Sequence, residues 1–193
     1  MENDFRQLIN QIKSCTLCDP YLPEGANPVF QASPKARILI AGQAPGIRVH
    51  RSSIPFDDPS GERLRNWMGI ESLIFYDPGK IAIIPMGFCY PGTGKSGDLP
   101  PRPECAKTWR QPLLERLPNI KLTLVIGQHA IAWHLGKSQQ KNLTQTVQNW
   151  KAYGPETMPL PHPSPRNNVW IKKNPWFSEE VLPALRKSVV ALL

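Results

Sequence analysis

Three short runs in this chain are apolar almost throughout, and each stops at a glycine or proline. They are Arg37–Ala41 before Gly42, Ile81–Ile84 before Pro85, and Leu122–Ile126 before Gly127. A strand with one wet face alternates apolar and polar residues, whereas runs without alternation are buried on both faces, as in a parallel sheet covered by helices. Met158–Pro161 is a fourth strand candidate. The stretches between them read as helices. Phe5–Lys13 places Phe5, Leu8, Ile9 and Ile12 on one face; Glu62–Met68 follows Ser60 as cap and stops at Gly69; Gln128–Leu135 stops at Gly136. Pro103–Leu117 carries Pro112, which should bend or interrupt it. Ser178–Leu192 closes the chain, with Ser178 as cap and Glu179 and Glu180 in its first turn. The expected fold is therefore α/β, a short, mostly parallel central sheet of about four strands flanked by helices on both faces. A chain of 193 residues needs only one domain for this, spanning 1–193.

In such a sheet ligands sit beyond the carboxyl ends of the strands. Three loops there are unusual: Gly42–Gly46, Pro85–Pro91 and His162–Asn167. Gly42-Gln43-Ala44-Pro45-Gly46 is a rigid turn whose backbone N–H groups can face a ligand. His162-Pro163-Ser164-Pro165-Arg166-Asn167 holds a histidine between prolines in a basic loop, unlike an ordinary core histidine. His50, His129 and His134 are less distinctive; the last two fall on a helix as packing or surface residues. Phe56-Asp57-Asp58 precedes a helix start, so Asp58 reads first as a capping neighbour, with Phe56 as a stacking platform beside a working carboxylate in the alternative. Gly94-Lys95-Ser96 resembles the end of a phosphate-binding loop, but the glycine required five positions earlier is Cys89, and that reading fails.

Charge narrows the partner. The chain has 23 Lys and Arg against 15 Asp and Glu; residues 1–120 hold 14 basic and 12 acidic residues, and residues 121–193 hold 9 and 3. A basic half points to a polyanion, nucleic acid first. No apolar run is long enough to span a bilayer, and Met1-Glu2-Asn3-Asp4 is too polar for a secretion signal. The expectation is a cytoplasmic protein, a monomer, with no membrane partner.

Cys15 and Cys18 share a CxxC; Cys89 follows 71 positions later and Cys105 another 16. Structural disulfides do not suit a cytoplasmic chain. Four thiolates suit a four-iron cluster or zinc. Because only one pair has tight spacing, the cluster is favoured, with zinc as the alternative; a redox pair at Cys15 and Cys18 is a third option.

Taken together, the Gly42–Gly46 and His162–Pro165 loops, about 120 residues apart on an α/β frame with four cysteines, resemble the uracil-DNA glycosylase superfamily, and most of all its iron–sulfur branches, families four and five. The resemblance runs from about Cys15 to Arg186. It implies that Cys15, Cys18, Cys89 and Cys105 hold a 4Fe-4S cluster. Gly42, Gln43, Ala44, Pro45 and Gly46 would contact the base through the backbone, and Phe56 would stack on it. His162 and Asp58 would be catalytic, although one residue must be dropped to align Asp58. Ser164, Pro165 and Arg166 would wedge into the minor groove, while phosphate contacts fall to Lys172 and Lys173 on charge. Two departures stand out. Ala44 occupies the place of the first family's aspartate, an absence families four and five share. Pro85 occupies the place of the fourth family's uracil-reading asparagine. The resemblance thus implies a DNA glycosylase of base excision repair acting on uracil, and on hypoxanthine or xanthine if the range is broad as in the fifth family. A DNA-binding module that has lost catalysis and a metal-stabilised hydrolase of small nucleotides are the competing readings.

Overall fold

The computed structural model describes residues 2–95 and 97–193; Met1 and Ser96, the latter ending the Gly94-Lys95-Ser96 run, lie outside the described residues. In chain order the strands are β1 (Ile38–Ala41), β2 (Ile81–Ile83), the very short β3 (Thr93–Gly94) and β4 (Gly97–Asp98), β5 (Leu122–Ile126) and β6 (Thr157–Leu160). β1, β2, β5 and β6 form one all-parallel sheet in the order β2-β1-β5-β6. Ile38 pairs with both Ile81 and Leu122, and Ile126 with Leu160, so the strands end nearly level. β3 and β4 make a separate antiparallel hairpin.

Alternate residues of the sheet serve two cores. Ile38, Ile40, Ile81, Ile83, Leu122, Leu124 and Ile126 face one side, where α3 (Pro59–Met68) and α10 (Leu182–Val190) cover them with Leu64, Met68, Leu185 and Val189. Leu39, Ala82 and Ile84 face the other, under Leu8 and Ile12 of α1 (Glu2–Lys13) and Leu113 and Leu117. Each such side chain contributes about 1.5–3 kcal/mol when fully buried, which makes a purely apolar run worth retaining on both faces. Among the described residues no helix is long and apolar enough to cross a membrane.

Several boundaries differ from the sequence expectation. The cap of α3 is Asp58, not Ser60; Asp58 accepts the Gly61 N–H at 2.8 Å, and Ser60 is buried inside the helix. Pro59 explains the shift, since the first helical position has no use for an N–H and the cap falls on the residue before it. Ser178 is not a cap either, because helical backbone already begins at residue 175. The Pro103–Leu117 helix is broken into α5 (Pro103–Cys105), a π-helical turn over Ala106–Arg110, and α6 (Gln111–Leu114). β6 starts one residue earlier than expected. The sequence pattern did not reveal α2 (Ile47–Ser52), α4 (Ser72–Phe75), α8 (Leu143–Gln148), α9 (Asn168–Lys173) or the β3–β4 hairpin, whereas α7 (Gly127–Leu135) lies where expected.

Candidate active site

Beyond the carboxyl ends of β1, β2 and β6 lies a cleft of about 440 Å³. Its walls include all five residues of the Gly42–Gly46 turn, Phe56, Asp58, Pro85, His162, Ser164 and Arg166. The sequence-distant loops therefore meet, as strands that end level require. Pro165 does not line the cleft; it begins the 3₁₀ turn Pro165–Asn167 that carries the loop into α9. Lys172 and Lys173 are exposed in the last turn of α9, outside the cleft.

Phe56 is held in an unusual backbone shape. Its φ is +56°, the left-handed region that costs a bulky residue of the order of 1–3 kcal/mol. A side chain on Gly61 would overlap the Phe56 carbonyl, so that close approach needs glycine. The ring reaches Gly42, where an added Cβ would sit 3.4 Å from its edge, and packs edge-on against Phe75 at 6.2 Å. A flat apolar face is thus locked across the first loop's turn.

His162 is held from both sides of its loop. Asn167 Nδ2 donates to the His162 carbonyl at 2.7 Å, Arg63 of α3 donates to the Ser164 carbonyl at 3.0 Å, and the Ser164 N–H donates to His162 Nδ1 at 3.2 Å. A backbone N–H can only donate, so Nδ1 is the acceptor and the proton of the neutral ring sits on Nε2. Burial pushes the His162 pKa below its ordinary value, with the charges of Asp58 and then Asp98 pulling the other way. With Nδ1 accepting, Nε2 is the ring nitrogen left to donate.

Asp58 serves as helix cap and cleft lining together. Among the lining residues that escaped the sequence reading are Gly97 and Asp98, both on β4. Their only signal was a glycine-rich run read for a phosphate loop. Pro85 lies in the cleft and offers a base no side-chain hydrogen bond.

The four cysteines line a second, smaller cavity between the end of α1, the Leu22–Pro28 segment, and the Gly87–Cys89 and Arg102–Trp109 stretches. Two of the sulfurs have an N–H donor: Cys15 accepts from the Trp109 indole at 3.2 Å and Cys105 from the Phe88 N–H at 3.3 Å. Burial, with the neighbouring cysteines adding to it, pushes the Cys89 thiol up to about 11 and Cys105 up to about 12. Among the described residues, no three His, Cys, Asp or Glu side chains converge closely enough to hold a single metal ion. Close to Cys105, Arg110 is fully buried. Its Nη2 donates to the Ile84 carbonyl at 3.3 Å and to His134 Nε2 at 2.8 Å, and its guanidinium lies 4.5 Å from the Trp133 ring centroid. Nε and Nη1 meet no acceptor, and burial drives its pKa down to about 9.

A family model of the Uracil DNA glycosylase superfamily matches residues 29–186. That span takes in both cleft loops, Phe56, the β3–β4 hairpin and the cysteines at 89 and 105, with Cys15 and Cys18 preceding it. Matched over most of its length, and with the two loops that carried the resemblance facing one another across a single cleft, this chain belongs to the uracil DNA glycosylase superfamily.

Proposed function

We propose that the cleft receives a deaminated base flipped out of DNA and hydrolyses its N-glycosidic bond, with uracil, hypoxanthine and xanthine as the substrate class and base excision repair as the setting. The observation that carries this reading is the Ser164 N–H bond to His162 Nδ1, which leaves Nε2–H as the donor. Breaking the C1′–N bond puts negative charge on the base and positive charge on the sugar. A fixed donor at the base oxygen is worth about 2.7–4 kcal/mol by analogy with single oxyanion donors. Asp58 supplies a fixed negative charge for the sugar side. Phe56 stacks on the everted base, and the backbone of Gly42, Gln43, Ala44, Pro45 and Gly46 holds its edge. Ser164, Pro165 and Arg166 fill the space the base leaves, and Lys172 and Lys173 contact phosphates. A base oxygen beside a ring N–H is common to all three substrates, and Pro85, lacking a side-chain reader, supports a range wider than uracil.

The second cavity supports a 4Fe-4S cluster on Cys15, Cys18, Cys89 and Cys105, as in families four and five. Zinc would draw all four sulfurs to about 2.3 Å from one point, whereas a cluster spreads its ligands around a larger body. N–H donors on Cys15 and Cys105, with an under-partnered buried arginine nearby, suit a centre of net negative charge. When bound, the cluster supplies a structural cross-link of α1 to the loops after β2. The chain acts as one domain and as a cytoplasmic monomer.

The test incubates the protein with single- and double-stranded oligonucleotides bearing each base, then cleaves abasic sites with alkali. Scission by the parent and its loss in His162→Ala are expected. Binding to damaged DNA with no scission from any base would favour the catalytically silent DNA-binding module, which Pro85 alone recommends.

A further inference from the structure

Hydrolysis of the bond needs more than a donor for the departing base. As C1′–N breaks, its electron pair leaves on the base; a water oxygen forms the new C1′–O bond, and one proton of that water must go to an acceptor. His162 cannot take it, because Nδ1 already accepts the Ser164 N–H and Nε2 carries the ring proton. Nor can the first loop, whose Gln43 amide donates to the Leu99 carbonyl at 3.2 Å and whose other residues have no basic side chain. Two carboxylates line the cleft, Asp58 and Asp98. Asp58 has one oxygen committed to the Gly61 N–H at the start of α3.

Asp98 is placed differently. It ends the β3–β4 hairpin, paired across from Thr93, whose hydroxyl reaches Oδ1 only at 3.4 Å. Its Oδ2 lies over the first loop, 3.4 Å from where a Cβ on Gly46 would stand. Gly97 beside it lies against the Arg166 guanidinium, which a side chain there would have to displace, and its φ of +133° suits glycine. The hairpin therefore spans from the first loop to the histidine loop, and hangs an exposed, water-accessible carboxylate over a turn that contains no acid of its own.

We propose that Asp98 is the catalytic carboxylate that orients the attacking water and accepts its proton, with Asp58 confined to capping α3 and to fixed charge. This rests on the glycosylase reading of the cleft. The proton passes from water to Asp98, the released base gains its own proton from solvent, and the Asp98 carboxylic acid returns its proton to solvent, so that one water is consumed for each base freed.

The experiment is single-turnover base release from uracil- and hypoxanthine-containing oligonucleotides, with DNA affinity and thermal unfolding measured alongside. Asp98→Asn keeps the shape and the Thr93 contact but removes the proton acceptor; it should be slowed at least about 100-fold with unchanged DNA affinity and melting. Asp98→Ala should regain rate when formate is added, a recovery no merely structural role allows, and Asp58→Ala should not. Asp98→Asn turning over at nearly the parental rate, or losing rate only in step with DNA affinity and without formate rescue, overturns the proposal. A parent that frees no base from any oligonucleotide overturns the glycosylase reading itself, and shows before any variant is compared.

Discussion

The Asp58 carboxylate accepts the Gly61 N–H while lining the cleft, so its two duties can be separated by chemistry. Asparagine caps a helix as well as aspartate does, whereas alanine costs about 1 kcal/mol. Asp58→Ala should therefore lower the unfolding midpoint while Asp58→Asn holds it, which thermal melts would show; any rate loss in Asp58→Asn then measures charge alone. His134 offers a second residue-scale test. Its Nε2 accepts from Arg110, and burial together with that cation drives its pKa down to about 3. The unfolded chain takes up this proton near pH 6.5 and the folded chain does not, so stability is present above that pH and falls as the solution is acidified toward 3. The slope approaches about 1.4 kcal/mol per pH unit for one histidine. Melts from pH 7 to 4 should show a gentler loss for His134→Gln than for the parent, and equal slopes would mean that folding does not depress the His134 pKa.

Elements were legible where one force decided them. The runs Ile38–Ala41, Ile81–Ile83 and Leu122–Ile126 are strands because nothing but double-sided burial accounts for their composition, and the glycine and proline that end the first two, Gly42 and Pro85, marked the cleft in advance. Where local and tertiary demands compete, the pattern was silent. β3 and β4 are two residues each and made of Thr, Gly and Asp, so neither alternation nor propensity flags them, and Asp98 was lost with them. Both π-helical turns, Ala106–Arg110 and Phe177–Val181, end two residues before a proline, Pro112 and Pro183. A proline interrupts the i to i−4 ladder, and a widened turn just before it lets the helix continue instead of stopping. The element with a direct functional forecast is α9, whose last turn presents Lys172 and Lys173 next to the histidine loop. If both meet phosphates, the double change to alanine should weaken DNA binding for every sequence alike and flatten the dependence of log affinity on log salt by about 1.8. Fluorescence anisotropy across a salt series reads it, and an unchanged slope would move the phosphate track elsewhere.

At the scale of the molecule, the two cores are tied together unequally. The face under α3 and α10 is a broad apolar cluster, whereas the cluster under α1 is smaller, with Leu8 and Ile12 buried and Phe5 and Ile9 partly buried, and the chain then turns directly into the four-cysteine cavity. That cavity is neighbour to a fully buried cation with two unmet nitrogens, a costly arrangement in a protein interior unless opposite charge stands close by. Cys105, once ionised, is placed to favour the protonated form of Arg110. A thiolate-bound metal centre of net negative charge would offset the cost, and its removal would leave the arginine uncompensated just where α1 is anchored. Stripping iron with a chelator should then lower the unfolding midpoint and speed amide exchange in residues 2–13 and 87–105 before the sheet is affected. Arg110→Met should reverse sign with occupancy. It should stabilise the stripped protein by roughly 1–4 kcal/mol, since an apolar side chain of similar volume replaces a buried unpaired charge, and destabilise the loaded one. Melts of both variants, with and without iron, decide the matter: destabilisation of the stripped protein by Arg110→Met would mean that the contacts with Ile84 and His134 outweigh the buried charge, and that Arg110 is there to hold the broken helix rather than to face the thiolates.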